Sequence, residues 1–357
     1  MFARLVRPST HVRKADFAVG IHDFESGGEL VRRRVLERTV TSAIALAIVA
    51  EVTLPLLTLA RVLPAQQRDT MQLIAPPGAL SFIAMGDWGR EGEFNQRAVA
   101  AQMASVARRL DAAFVLALGD NFYPNGVQSV NDPQWRTSFE DVYSAHSLHV
   151  DWYVALGNHD YDGNPQAQID YSQISRRWRL PARYYAFREK VADGVDAEFF
   201  VLDTNPFITE SGGEPQMHAV PHTDTTAQRK WLDSALTAST AKWKFIVGHH
   251  PVYGHRLYPV IPEMERLLVP RLAKYGVAAY ISGHEHRLQH IVPAGSATQY
   301  FVSGAASETR TGGKMPGARF VSSRSGFFAM SLTRDSLIVQ AVDFEGRMLY
   351  RAALIKR

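Results

Sequence analysis

The chain of 357 residues contains no cysteine. This absence excludes disulfide bridges, thiolate nucleophiles and zinc sites built on thiolates, so a metal ion would have to be held by oxygen and imidazole ligands. Internal repeats and low-complexity tracts are also lacking. Hydrophobic residues make up 46% and charged residues 21% of the chain, which is typical of a folded globular protein.

The sequence carries little excess charge outside its first 40 residues. The net charge is +4, and residues 1–40 alone contain eight Lys or Arg against five Asp or Glu. The remainder is nearly neutral and shows no basic stripe, whereas a nucleic-acid-binding domain spreads a basic face over its folded body. We therefore expect no nucleic-acid partner.

A positively charged flank precedes an apolar stretch near the N-terminus. Residues 32–34 are three arginines, and apolar runs follow at residues 42–50 and 54–60. This layout is typical of an export signal or a membrane anchor, and the alternative is an ordinary amphipathic helix. The pattern predicts a basic segment over residues 1–40 and a hydrophobic signal peptide or anchor over 41–65. The protein would then be exported, periplasmic or extracellular, and residues 41–63 would tether it to the membrane if retained.

Residues 66–78, rich in polar residues and proline, predict a linker before a catalytic domain over 79–357. In that domain, five short apolar runs each end in a cluster of glycine and polar residues. The runs are Leu80–Met85, Ala113–Leu118, Trp152–Leu156, Phe245–Val247 and Ala278–Ile281. Such short, continuously apolar runs predict strands that are buried on both faces. Two further strands are predicted at residues 199–202 and 299–302.

Helical spacing of Leu and Ala appears between these runs, at residues 94–110 and 226–236. Strands that alternate with helices predict an α/β domain, in which polar residues past the carboxyl ends of strands line one crevice. The clusters would bring together Asp87, Asp120, Tyr123, Asn158, His159, His249, His250, His284 and His286. This set exceeds the needs of one ion. It predicts two ions, roughly 3.5–4 Å apart and bridged by a carboxylate.

The clusters read Gly-Asp-Trp-Gly, Gly-Asp-Asn-Phe-Tyr, Gly-Asn-His-Asp, Gly-His-His-Pro and Gly-His-Glu-His in chain order. As a set they resemble the five signatures of the calcineurin-like metallophosphoesterases. Tyr123, three residues after Asp120, makes the chain similar to the purple acid phosphatases. Residues 119–127, 168–178 and 273–280 resemble the small tartrate-resistant type. The resemblance spans about residues 80–350 and implies an α/β fold, a four-layer αββα sandwich of two mixed sheets flanked by helices.

The resemblance also implies which residues hold the two metal ions. Fe(III) would be held by Asp87, Asp120, Tyr123 and His286, and a divalent ion by Asp120, Asn158, His249 and His284, with Asp120 as the bridge. A phenolate ligand suits Fe(III), because only a strong Lewis acid ionises a tyrosine whose ordinary pKa is about 10. The amide and imidazole ligands suit a divalent Fe, Zn or Mn ion, among which the sequence does not choose.

Four residues beside these ligands have predicted roles. Side chains of neighbours in an extended segment point to opposite sides, so only one of His249 and His250 can face the metals. The family places its ligand two residues before the proline, which selects His249. His250 and His255 are the predicted substrate contacts. His159 is predicted to contact phosphate and protonate the leaving group, with Asp160 orienting it; the alternative role of Asp160 is a turn cap.

The predicted activity is that of an acid phosphatase, in which a metal-bound hydroxide attacks a phosphate monoester and Asn158 stabilises the equatorial oxygens. The residues leave three alternatives open. These are a phosphodiesterase or nucleotidase on the same centre, a silent metal- or phosphate-binding protein, and a redox role of an iron pair. The expected substrates are small phosphoesters, with phosphoproteins as a further class, and a monomer is expected.

Overall fold

The computed structural model describes residues 72–210, 225–254 and 262–356. The predicted basic and hydrophobic segments, the first part of the linker and His255 lie outside the described residues, so these predictions stand as predictions. Within the described ranges, no helix is both long enough and apolar enough to cross a membrane.

The strands and helices alternate through the first part of the described chain, and strands dominate the last part. The strands are β1 (Leu80–Met85), β2 (Phe114–Leu118), β3 (Asp151–Ala155), β4 (Trp178–Arg179), β5 (Tyr185–Ala192), β6 (Val195–Val201), β7 (Trp243–Val247), β8 (Ala279–Ser282), β9 (Leu288–Ile291), β10 (Gln299–Ser303), β11 (Ala318–Ser322), β12 (Gly326–Leu332), β13 (Ser336–Asp343) and β14 (Met348–Ile355). The α-helices are α1 (Gln96–Leu110), α2 (Asn158–Tyr161), α3 (Pro165–Tyr171), α4 (Asn205–Glu210), α5 (Thr226–Ala238) and α6 (Pro262–Lys274). Two further single turns cover Trp135–Glu140 and His146–Leu148.

The strands form two mixed sheets of seven strands each. Sheet 1 has the order β14-β13-β12-β1-β2-β3-β4, and sheet 2 has the order β11-β9-β10-β8-β7-β6-β5. Strands β1 to β4 are parallel to one another, as are β6, β7, β8 and β10. The seven predicted strands are observed as β1, β2, β3, β6, β7, β8 and β10, and the two predicted helices as α1 and α5.

The sheets face each other across an aromatic core. Phe82 on β1 stacks on Phe114 of β2 at 4.8 Å between ring centroids and meets Phe199 of β6 edge-on at 5.5 Å. Burial of such rings is the main favourable term in forming the core. Helix α1 covers sheet 1 with one apolar stripe, which includes Val99, Met103 and Val106. The two mixed sheets with flanking helices confirm the predicted fold class.

Candidate metal centre

The five predicted clusters lie at the carboxyl ends of parallel strands, three in sheet 1 and two in sheet 2. The loops after β1 and β2 are fastened to each other, since Trp88 Nε1 donates to Asn121 Oδ1 at 3.1 Å. The Tyr123 backbone N–H also donates to the Gly89 carbonyl at 2.8 Å. These bonds hold the loops that carry Asp87 and Asp120 side by side.

Three of the predicted ligands have left-handed backbone conformations. Their φ values are 60° at Asp87, 49° at Asp120 and 67° at His284. Residues other than glycine seldom adopt this region, and such strain concentrates at functional sites. At each of these three positions the left-handed residue turns the chain sharply just past the end of a strand.

Two glycines allow this close approach. A Cβ atom on Gly157 would lie 2.2 Å from Asp120 Oδ1, and one on Gly119 would lie 2.6 Å from His249 Nδ1. Gly119 also has a φ of 89°, which favours glycine. The glycines that recur before the predicted ligands therefore have a steric role at these two positions.

Four predicted ligands meet around the Tyr123 hydroxyl, and we call them the Tyr123 group: Asp87, Asp120, Tyr123 and His286. The hydroxyl oxygen lies 2.7 Å from Asp120 Oδ2, 3.2 Å from Asp87 Oδ1 and 3.2 Å from His286 Nε2. All four residues are buried. Three oxygen donors and one nitrogen donor thus face a common point.

The other predicted ligands meet around the Asn158 amide, and we call them the Asn158 group: Asp120, Asn158, His249 and His284. Asn158 Oδ1 lies 3.1 Å from both His249 Nε2 and His284 Nδ1. His249 Nε2 is also 3.4 Å from Asp120 Oδ1. Asp120 therefore presents one carboxylate oxygen to each group, a geometry that suits a bridging ligand.

The donor set of the Asn158 group fits a cation. His249 Nδ1 lies 2.9 Å from the Leu118 carbonyl, to which it can only donate, so the Nε2 atom of the neutral ring carries a lone pair. That lone pair points at the oxygens of Asn158 and Asp120, which are acceptors as well. Ligands about 2.1 Å from one ion lie roughly 3.0–3.4 Å apart, which agrees with the observed separations. A cation at their centre would remove the mutual repulsion.

The Tyr123 group also fits a cation, because it buries several acidic groups close together. Burial and the neighbouring Asp120 carboxylate raise the pKa of Asp87 well above its usual value. Burial and the two carboxylates also raise the pKa of Tyr123. Burial acts against ionisation of Asp120 too, yet His249 and His159 lower its pKa to about 2. Three acidic groups this close together need positive charge to ionise fully.

Burial favours the neutral imidazole in two of the predicted ligands, His249 and His286, as ligation requires. Burial lowers the pKa of His249 to about 4. Burial, assisted by Arg310, lowers the pKa of His286 to about 3. Neutral rings at acidic pH leave the ring nitrogens available to a metal ion.

His250 lies beside the Asn158 group, and one of its ring nitrogens lies within 4.8 Å of ring nitrogens of His249 and His284. Its Nδ1 is 2.8 Å from Thr204 Oγ1, and its backbone N–H donates to the same oxygen at 3.1 Å. The Thr204 hydroxyl, which accepts from the backbone N–H, can donate to Nδ1 or accept from it. The buried Nε2 atom has no protein partner among the described residues. The structure thus places His249 against the predicted ligands and leaves one ring nitrogen of His250 available.

His159 lies over the Tyr123 ring, with 4.5 Å between the ring centroids. Its Nδ1 donates to the Pro124 carbonyl at 2.6 Å, and its backbone N–H donates to Asp120 Oδ1 at 2.9 Å. The side chain is half-buried, so Nε2 is the atom that can meet a substrate.

The structure corrects the predicted role of Asp160. Its buried carboxylate accepts hydrogen bonds from Gly157 N at 2.8 Å, Asn121 N at 3.0 Å and Gln168 Nε2 at 2.8 Å. The Pro124 carbonyl, rather than Asp160, orients the His159 ring. Adjacent residues on a helix do not face each other, so α2 directs the two side chains apart. Asp160 caps α2 and joins the loops after β2 and β3, which was the alternative role.

Arg90 is the residue beside the site that the motifs did not indicate. Its guanidinium carbon lies 3.7 Å from the centroid of the Tyr123 ring. Its position directly after Gly-Asp-Trp-Gly is a signal that could have drawn attention to it.

Comparison with known proteins agrees with this geometry. The family described as calcineurin-like phosphoesterase matches residues 80–288. Purple acid phosphatase 7 of Arabidopsis thaliana is 37% identical over 291 residues, covering 78% of this chain and 87% of the relative. Tartrate-resistant acid phosphatase type 5 of Homo sapiens is 34% identical over 303 residues, covering 78% of this chain and 92% of the relative.

A solved structure shares the fold at lower identity. GAP50, described as the anchor in the inner membrane complex of Plasmodium, has a TM-score of 0.69 and 23% identity, covering 78% of this chain and 89% of that chain. The relatives and the matched domain confirm the predicted hydrolase class and support a two-metal phosphoesterase. The chain belongs to the calcineurin-like phosphoesterase family and, within it, to the group of the purple and tartrate-resistant acid phosphatases.

Proposed function

We propose that the protein is an acid phosphatase that hydrolyses phosphate monoesters at a dinuclear centre. Fe(III) would be held by the Tyr123 group and a divalent Fe, Zn or Mn ion by the Asn158 group. The observation that carries this proposal is the position of the Tyr123 hydroxyl, 2.7 Å from one carboxylate oxygen and 3.2 Å from another. A phenol among carboxylates is a set of hard oxygen donors, which favours a strongly Lewis-acidic ion.

Three residues of the chain would act on the substrate beside the metal ions, namely His159, Asn158 and His250. Bound metal ions would supply Lewis acidity toward water and toward the phosphate oxygens. With Nδ1 held by Pro124, His159 would direct Nε2 at the phosphoester and deliver a proton to the leaving oxygen. Because Asn158 Oδ1 faces two imidazoles, its Nδ2 group is left to donate to a phosphate oxygen. The Nε2 atom of His250, when it carries the proton, is the further proposed donor.

The remaining expectations belong to the same proposal. Small phosphoesters and phosphoproteins would be the substrates, and the protein would act as a monomer. Export, with residues 41–63 as anchor if retained, is supported by the arginine flank followed by an apolar run.

A test of this function uses the full chain loaded with iron. We expect two metal ions per chain, a pink to violet colour from phenolate-to-iron charge transfer, and faster turnover of p-nitrophenyl phosphate than of bis(p-nitrophenyl) phosphate below neutral pH. The chelated protein is the control and should be colourless and inactive. A colourless protein with full iron content would contradict the ferric assignment. Preference for the diester would establish the phosphodiesterase alternative instead.

A further inference from the structure

Arg90 covers one of the predicted iron ligands. It follows the loop that carries Asp87, and its guanidinium carbon lies 3.7 Å from the Tyr123 ring centroid and 5.3 Å from the Phe94 ring centroid. Only 14% of its side chain is exposed. The cation is therefore held against the face of the Tyr123 ring with little water around it.

Contacts at both ends of the residue hold Arg90 in this place. Its backbone N–H donates to Gln96 Oε1 at 3.0 Å, and its Nε–H donates to Ser307 Oγ at 3.2 Å. A terminal guanidinium nitrogen pairs with Glu308 at 2.9 Å. The two side-chain contacts fix the direction of the guanidinium, and the backbone contact holds the loop that carries it.

The same contacts connect Arg90 to a second member of the Tyr123 group. Ser307 Oγ, which accepts from Arg90, donates to the Asp87 carbonyl oxygen at 2.5 Å. Arg90 thus contacts the Tyr123 ring directly and the Asp87 backbone through Ser307. Neither contact engages the Asn158 group.

We infer that Arg90 is a positioning residue that holds the Tyr123 phenolate and sets its strength as an electron donor to iron. The inference rests on the proposed function. A cation over an aromatic face stabilises the filled π orbitals of the ring. It also offsets part of the negative charge that two carboxylates and a phenolate bring together. With Arg90 in place, more energy is needed to move an electron from the phenolate to Fe(III).

The test measures the visible absorption maximum of iron-loaded variants. Arg90→Met keeps the length of the side chain but removes its charge, and we expect the maximum to move to longer wavelength by on the order of 10 nm or more, because a unit charge close to the ring is lost. Arg90→Lys keeps the charge without the planar group, so its absorption maximum should lie closer to that of the wild type, with at least half of the Arg90→Met shift reversed. Arg136→Gln, at an exposed ion pair, is the matched control and should leave the maximum unchanged.

An unchanged maximum in Arg90→Met at equal iron content would overturn the inference. If Arg90→Met fails to hold iron, Glu308→Gln decides the question. Removing the carboxylate that partly neutralises Arg90 should move the maximum to shorter wavelength, and no movement would overturn the inference. Failure of the proposed function is recognised separately, since the wild-type protein would then be colourless at full iron content or would prefer the diester substrate.

Discussion

The Tyr123 group and the Asn158 group share Asp120 but differ in charge. The first combines two carboxylates with a phenol and one imidazole, whereas the second combines one carboxylate with a neutral amide and two imidazoles. Hard anionic oxygens favour a trivalent ion, and neutral nitrogen ligands favour a divalent one. One fold thus places two unlike groups of potential metal ligands side by side through the residues that follow neighbouring strands.

The surroundings of the two groups differ in the same direction. The Tyr123 ring is covered by the guanidinium of Arg90 and by the imidazole of His159. In the Asn158 group, the Leu118 carbonyl fixes the orientation of His249. The Arg90 guanidinium offsets excess negative charge in the Tyr123 group. The Leu118 carbonyl selects the ring tautomer of His249 in the less charged Asn158 group.

The substitution with the largest expected effect removes the residue that the groups share. Asp120→Ala should lose both metal ions and at least about 10³-fold in turnover, because Lewis-acid stabilisation is worth several kcal/mol. Metal content per chain by mass spectrometry and turnover of p-nitrophenyl phosphate check this. Asp141→Ala, at an exposed ion pair, is the control. An Asp120→Ala protein with full occupancy of either group would show that Asp120 is not shared.

A pair of substitutions separates the two groups. After loading with iron and zinc, Tyr123→Phe should lose its colour and at least about tenfold in iron affinity, with zinc content maintained. Asn158→Ala should keep its colour, because the phenolate ligand is intact. It should lose zinc, because a predicted ligand of the divalent ion is removed. Absorption spectra and metal analysis of both variants check the pair, with Tyr275→Phe as the tyrosine control. Retention of colour in Tyr123→Phe would exclude the phenolate assignment.

The smallest effect on metal content is expected for His159→Ala. Its Nδ1 contacts the Pro124 carbonyl, and the side chain makes no bond to either group, so both ions and the colour should remain. Turnover should fall about 10²–10⁴-fold, because a general acid is removed. Side-by-side metal analysis and steady-state kinetics check this, with the exposed His149→Ala as control. Unaltered turnover would exclude His159 from proton transfer.

The predicted strands succeeded where the apolar signal was continuous. Strands such as β2 are parallel and buried on both faces, and their residues read as an unbroken apolar run. Strands β5 and β14 went unpredicted because their residues alternate in exposure, which breaks up the run. Strand β12 is fully buried, but the polar residues 333–336 that follow it include no glycine, unlike the five clusters at the predicted strand ends.

The pairing of His159 with Asp160 shows a second limit. Adjacency in the sequence suggested a direct contact, but both residues lie on α2, where successive side chains diverge. The group that orients His159 is a backbone carbonyl, that of Pro124, 35 residues away along the chain. A carbonyl leaves no mark in the residue type, so no sequence pattern could have identified it.

Sequence patterns were enough to predict the strands of the metal centre and the polar residues at their ends, because burial on two faces and sharp turns each leave a short local pattern. Which of those residues stand together was implied only by the family resemblance, and the tertiary structure is what brings them into two groups. Three members of the Tyr123 group follow strands of sheet 1 and one follows a strand of sheet 2, whereas the Asn158 group takes two from each. Tyr123 meets His286 across 163 residues, because the sheets pack face to face through their aromatic cores. The placement of Arg90 over Tyr123 follows from the same packing of loops.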